Sequence, residues 1–273
     1  MIRKPAVAGI FYPSDREKLR QLVGAYISSS GRVSDNLVTG IVSPHAGYIY
    51  SGAVAGAAFA SAPDEIENVI ILAPPHRYPV RGASVFDGDG YETPLGIVPV
   101  QREITSRLIK AGLDFQPEAH RSEHSAEVQV PFVQIRWPGS MITVILQGAT
   151  SSDYSRQLAE MLAEAVGGYD KTLVVASSDL SHYHSLETAK SKDRKIMDAF
   201  SSGNPENMET ALAEGGEACG IGPVLTLMNY ARIMKHERFG RIRWDTSAAA
   251  SGDSSSVVGY FAGYCGWKAG NDI

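Results

Sequence analysis

Residues 69–77 read VIILAPPHR. Val69, Ile70, Ile71 and Leu72 form a short apolar run, and Pro74-Pro75 stop it and stiffen the approach to His76. A run this short, apolar throughout and bounded by turn residues, suits a strand covered on both faces. Similar β-rich runs occur at residues 38–42, 141–146, 173–176 and 257–261. Helical patterns lie between them. In residues 153–166, Leu158, Met161, Leu162, Ala165 and Val166 recur at helix spacing. Ser152 or Asp153 can cap the start, and Gly167-Gly168 end it. Residues 101–111 behave alike, with Gly112 as the stop. Ile221, Val224, Leu225 and Met228 mark another helix, in which Pro223 is tolerated because it falls in the first turn. Strands alternating with helices predict an α/β fold, with a central mixed or mostly parallel sheet flanked by helices.

Two stretches read as loops. Residues 73–95 carry PPHRYPVRG and YETPLG, and a loop this long is usually functional or mobile. Residues 247–256 are rich in Ser, Ala and Gly and read as a surface loop before a last strand. No linker is evident. Candidate site residues run from 45 to 219, so dividing the chain would divide the site, and residues 1–273 are expected to form a single domain.

Composition sets the outer bounds. Hydrophobic content of 44% and charged content of 20% describe an ordinary globular protein. The net charge of −5 offers no footprint for nucleic acid. Two cysteines, Cys219 and Cys265, are too few for a disulfide scaffold and point to a reducing compartment. The first residues contain no signal-type apolar core, interrupted as they are by Pro5, Gly9 and Pro13. No run approaches the ~20 apolar residues of a membrane helix. A cytoplasmic protein with no membrane contact is expected.

Four strand or helix junctions carry residues able to bind metal: His45 in IVSPHAGYIYSG, His76 in VIILAPPHR, Asp179 and His182 in LVVASSDLSHYH, and Cys219 in EACGIGPVL. In open α/β sheets, ligands bind beyond the carboxyl ends of strands, where His45 and His76 fall. Asp179 can orient an imidazole, bind metal, or cap the next helix, expected near His184. His184 itself is expected outside the site. Cys219 precedes a helix, whose N-terminal partial charge favours the thiolate; a buried free thiol serves as a small hydrophobe equally well, the role expected of Cys265. In RSEHSAEVQVPF, a helix would put His124 and Glu127 on one face. No HExxH, CxxC pair, P-loop or GxSxG motif is present, so the case rests on convergence.

Taken in order, RKPAVAGIFYP, PHAGYIYSG, APPH, YETPLG, EHSAEVQVPF, SSDLSH and CGIGPV resemble the Memo family (mediator of cell motility), whose bacterial and archaeal members are also called AmmeMemoRadiSam protein B. The resemblance spans residues 3–264. It implies a fold like that of class III extradiol dioxygenases, which hold non-haem iron with two His and one carboxylate and use a further His as base. It places His45 and His76 at the two metal-binding His positions and Cys219 where the dioxygenase has its carboxylate. It places His182 at the base, with Asp179 as its motif partner, and His124 at a pocket position. A thiolate in place of a carboxylate makes a softer set, suited to iron, copper or zinc. Ser181, Tyr183 and Arg77 stand where some relatives carry Cys, Trp and a second His, so tuning of the pocket is expected to differ.

Three functions follow as alternatives. The first is a redox, dioxygenase-like protein with iron or copper on His45, His76 and Cys219 and proton movement by His182. The second is a non-catalytic module binding a peptide or small molecule in the same cleft; animal relatives are linked to phosphotyrosine-containing peptides, and Phe11, Tyr12, Tyr48 and Tyr50 would offer aromatic surface at the rim. The third is a zinc hydrolase with His182 or Glu127 as base. The family label also points to a radical-SAM protein as a partner. Substrate and oligomeric state are not legible.

Overall fold

Strands β2 (Val38–Ser43), β3 (Asn68–Ala73), β7 (Met141–Gln147) and β8 (Thr172–Ser177) pair side by side in the order β2-β8-β3-β7, all parallel. Every residue of β3 and of β8 is buried, which is why both read as unbroken apolar runs. The structure is a computed structural model describing residues 1–31 and 34–268.

Antiparallel strands extend the sheet on both sides. β11 (Val257–Gly266) pairs with β2, β10 (Arg238–Thr246) with β11, and β4 (Ala83–Val85) with β7. β9 (Asp179–His184) pairs with the first half of β11. The sheet is therefore mixed, with a parallel centre. A separate three-stranded sheet joins β1 (Ile2–Arg3), β5 (Gly90–Thr93) and β6 (Gly96–Pro99). Thus β4 and β5 lie inside the stretch read as one long loop, whose Gly and Pro residues are the turns between short strands. Within residues 247–256, a short helix, α10 (Ala248–Ser251), closes on Gly252 with φ +74°.

Helices cover both faces. Side chains alternate along β3, so Val69, Ile71 and Ala73 face one core and Ile70 and Leu72 the other. The first core takes α1 (Arg16–Ser28), α2 (Tyr48–Ser61) and α5 (Val130–Arg136), with Leu19, Val23, Phe59 and Phe132 inside. The second takes α3 (Arg102–Lys110), α6 (Ser152–Val166), α7 (Leu186–Ser201), α8 (Pro205–Ala213) and α9 (Ile221–Ile233). α4 (Pro117–Arg121) is a short helix after α3. The cap of α6 is Ser151, whose side chain accepts from the Tyr154 N–H. The α1–α2 contact is close because α2 is built from small residues. A Cβ on Gly56 would lie 2.5 Å from the Tyr26 carbonyl oxygen. Among the described residues no helix is long and apolar enough to cross a membrane.

Candidate metal centre

Parallel strands carry their C-terminal ends to one edge, and three loops leave that edge together. His45 follows β2, His76 follows β3, and Ser177, Ser178 and Asp179 end β8 and begin β9. The register puts Ser43 of β2 beside Ser177 of β8. Cys219 reaches the same place just before α9, whose N-cap is Gly220. A Cβ on Gly220 would meet the Ser177 carbonyl oxygen at 2.2 Å, so glycine is what lets this loop approach.

The result is a cluster of three ligand-type side chains. Their ligand atoms, one each from His45, His76 and Cys219, lie within 4.8 Å of one another. Cys219 Sγ is 3.2 Å from His45 Nε2. His45 is buried and His76 is exposed, so the cluster opens to solvent on the His76 side. His76, Glu123 and His124 form a second such group sharing His76. The rings of His45, His76 and His124 lie 4.8–5.6 Å apart between centroids.

The hydrogen bonds decide which nitrogen His45 offers. Ser177 Oγ donates its one proton to the Ser125 carbonyl at 2.8 Å. The Gln129 amide nitrogen, pinned by the Pro44 carbonyl at 2.9 Å, donates to the same hydroxyl at 2.9 Å. His45 Nδ1 stands 2.9 Å from that oxygen and must be the donor. Its Nε2 is thus the bare nitrogen, facing Cys219.

Asp179 ties two loops. Its Oδ1 accepts the His45 backbone N–H at 2.7 Å, and its own N–H points at Cys219 Sγ at 3.3 Å. The backbone N–H of Cys219 returns to the Asp179 carbonyl at 3.1 Å. His182 is held otherwise. Its Nδ1 meets the Leu180 carbonyl at 2.8 Å, an acceptor only, so Nδ1 carries the proton and Nε2 is bare. The expected helix cap at Asp179 is absent, because residues 179–184 are strand β9 and α7 is capped by Ser185. Residues three apart on a regular strand face opposite ways. Here Asp179–His182 spans three steps against two on β11, and His182–His184 two against one, so β9 bulges twice. Tyr183 takes up the second bulge with φ +61°.

Burial governs charge. It holds the His45 imidazole well below its usual range, helped by His76 and His124. It pushes the Cys219 thiol up, helped by Asp179. The expected helix effect on the thiol is outweighed, since Cys219 lies two residues before α9, outside its N-cap Gly220. Cys219 Sγ lies within hydrogen-bonding distance of both the bare His45 Nε2, at 3.2 Å, and the Asp179 carbonyl, at 3.6 Å. Burial also raises Asp179, against the His45 N–H that stabilises its charge. Glu123 is the opposite case: burial opposes its charge, but the histidine and backbone donors around it hold it well below the carboxylate range.

His124 precedes a 3-10 turn (Glu127–Gln129) and does not share a helix face with Glu127. Glu127 instead accepts from the Arg3 guanidinium, the Tyr12 hydroxyl and the N–H groups of Ala6 (2.8 Å) and Val7 (3.1 Å), pinning the N-terminal segment. The carboxylate beside the histidines is Glu123, whose one signal in the sequence was adjacency to His124. Ser177 and Gln129 carried none. Tyr12 and Tyr48 are buried, and only Tyr50 and Phe11 of the expected aromatic rim reach the surface in part. His184 pairs with Glu217 at 2.9 Å. Cys265 is fully buried core.

A helix-flanked α/β sheet with a His/His/Cys cluster at its C-terminal edge defines the class. The family described as Memo-like protein matches residues 3–264, and the chain belongs to the Memo family. It is 36% identical to a MEMO1 family protein of Thermotoga petrophila, over 96% of this chain and 99% of that one. It is 37% identical to one of Thermotoga maritima, over 96% and 99%. It is 34% identical to one of Methanothermobacter thermautotrophicus, over 95% and 99%. The crystal structure of an uncharacterized protein of Escherichia coli K12 shares the fold, with a TM-score of 0.50, 11% identity, and coverage of 96% of this chain and 98% of that one.

Proposed function

We propose that this chain is a metal-dependent redox protein of dioxygenase-like fold, holding iron or copper on His45, His76 and Cys219. The observation that carries this reading is the convergence of those three ligand atoms within 4.8 Å from three separate loops. The donor set fits such a metal. The hydrogen bonds of Ser177 leave His45 Nε2 free to coordinate, and Cys219 Sγ is already beside it. Two imidazoles and a thiolate form a borderline-soft set. The bound metal would supply Lewis acidity and one-electron redox chemistry.

The protein's own groups do the rest. Asp179 fixes the spacing of the His45 and Cys219 loops through their backbones. Cys219 gives up its proton when it becomes a ligand, so loading releases acid. His182, with Nε2 bare, accepts a proton from a small molecule in the cleft. His124 lines the same opening, with the Phe11 ring tilted against it at 4.8 Å between centroids.

Elemental analysis of anaerobically purified protein tests this. The expected result is near-stoichiometric iron or copper that is lost in His76→Ala and Cys219→Ser. Zinc alone, without a redox response, would transfer the site to hydrolysis. No metal after anaerobic reconstitution with Fe(II), Cu(I) and Zn(II) would overturn the reading in favour of a non-catalytic binding module.

A further inference from the structure

Glu123 is a buried carboxylate that the reaction outlined above does not use. Its surroundings are unusual in kind. Oε2 accepts the backbone N–H groups of His76 and, at 3.1 Å, Arg77. Oε1 accepts those of His124 at 2.9 Å and Ser125 at 3.0 Å. Backbone N–H groups are donors under all conditions, so four of them converging on one carboxyl require an acceptor on both oxygens. His76 Nδ1 is hydrogen-bonded to Oε1 at 3.2 Å, whereas His124 Nδ1 lies as near but makes no hydrogen bond there. A carboxylate oxygen repels a bare nitrogen, so His76 Nδ1 carries its proton.

We infer that Glu123 is a positioning residue which fixes His76 in the Nδ1–H form, so that it presents a bare Nε2 to the cavity. His76 then offers Nε2 to the metal, matching what Ser177 does for His45 by a separate route. The inference rests on the metal-site reading for the purpose of His76, but the tautomer stands without it.

Glu123 with His76 and His124 forms a metal-capable group. The hydrogen bonds decide against that use, since a metal on Oε1 would displace N–H groups of a backbone that has no other described acceptor for them. Carboxylates behind metal-bound histidines raise ligand basicity and fix ring orientation, and their loss typically costs about 10–100-fold in metal affinity.

The test is long-range 1H–15N NMR of the histidine ring nitrogens in metal-free protein, wild type and Glu123→Gln. The expected wild-type signature is a protonated Nδ1 and a bare Nε2 at His76. In Glu123→Gln, His76 should become a tautomer mixture, and its affinity for Fe(II) or Cu(I) should fall by about 10–100-fold. A merely structural glutamate would lower stability without moving the tautomer signals. Nε2–H at His76 in wild type overturns the inference, and this arm needs no variant to fold. Two equivalents of metal in wild type, reduced to one in Glu123→Gln, would also overturn it by making Glu123 a ligand. Wild type that shows the expected His76 tautomer but binds no metal upholds Glu123 and sinks the metal reading alone.

Discussion

Ser177 shows how much of the site is decided by one hydroxyl. It donates to Ser125 and accepts from Gln129 and His45 Nδ1, which uses its whole hydrogen-bonding capacity. In Ser177→Ala, His45 keeps its place but loses the acceptor that selects its tautomer, and two buried donors are stranded. Metal affinity should fall by about tenfold or more, and unfolding free energy by about 1–3 kcal/mol. Isothermal titration with Fe(II) and urea denaturation would read the two effects separately. Unchanged affinity would mean that His45 does not coordinate through Nε2. Nothing in the residue string marks Ser177: it closes an apolar run, and serines there are commonly turn residues. His45, His76 and Cys219 were legible because few other roles put such side chains at strand and helix ends. Glu123 was not, because half of its backbone donors, His76 and Arg77, come from the loop after β3, some 47 residues away.

At the scale of elements, two features carry predictions. α2 packs on α1 through glycine, so Gly56→Ala drives a methyl group against the Tyr26 backbone and should cost about 1–3 kcal/mol by overpacking, read as a lower urea midpoint with the metal cluster intact. β9 holds Tyr183 at φ +61° and 79% exposed, where its side chain gains little from burial. Glycine adopts that backbone without steric cost and a β-branched residue does not. Tyr183→Val should therefore destabilise by about 1–2 kcal/mol, while Tyr183→Gly should be near neutral. Equal losses in both would show that the tyrosine ring, not the backbone, matters there. The parallel centre (β2, β3, β7 and β8), β11 and helices α3, α6 and α9 were readable from their apolar patterns. β4, β5 and β9 were among the strands that were not. β4 and β5 are three and four residues long, too short to show a period, and β9 breaks alternation twice by bulging.

For the whole molecule, buried neutral histidines set the response to acid. Burial, then Arg3, brings His120 from 6.5 down to about 3, and burial brings His236 down to about 4. His45 is lowered in the same direction. Between those values and 6.5 the unfolded chain takes up protons that the folded chain refuses, so the unfolded state gains as pH falls. Glu123, depressed rather than raised, adds to the loss once pH drops below the ordinary glutamate range. Stability of the metal-free protein should hold near pH 7 and fall steadily from about pH 6.5 toward pH 4. Thermal unfolding followed by circular dichroism across that range checks it. A flat Tm between pH 7 and pH 5 would mean that His120 and His236 are protonated in the fold.

The sequence by itself determined the α/β alternation, the parallel strands buried on both faces, the family, and which histidines and cysteine stand at loop positions. These follow from local properties: apolar periodicity, turn residues, and the few roles open to a ligand-type side chain at a strand end. Tertiary structure alone decided that β9 is a bulged strand and not a helix cap, that Glu127 anchors the N-terminus while Glu123 faces the histidines, and that burial raises the Cys219 thiol against the pull of α9. Those outcomes depend on which atoms meet across long stretches of chain. Hydrogen-bond capacity and desolvation are settled only when the partners are in place.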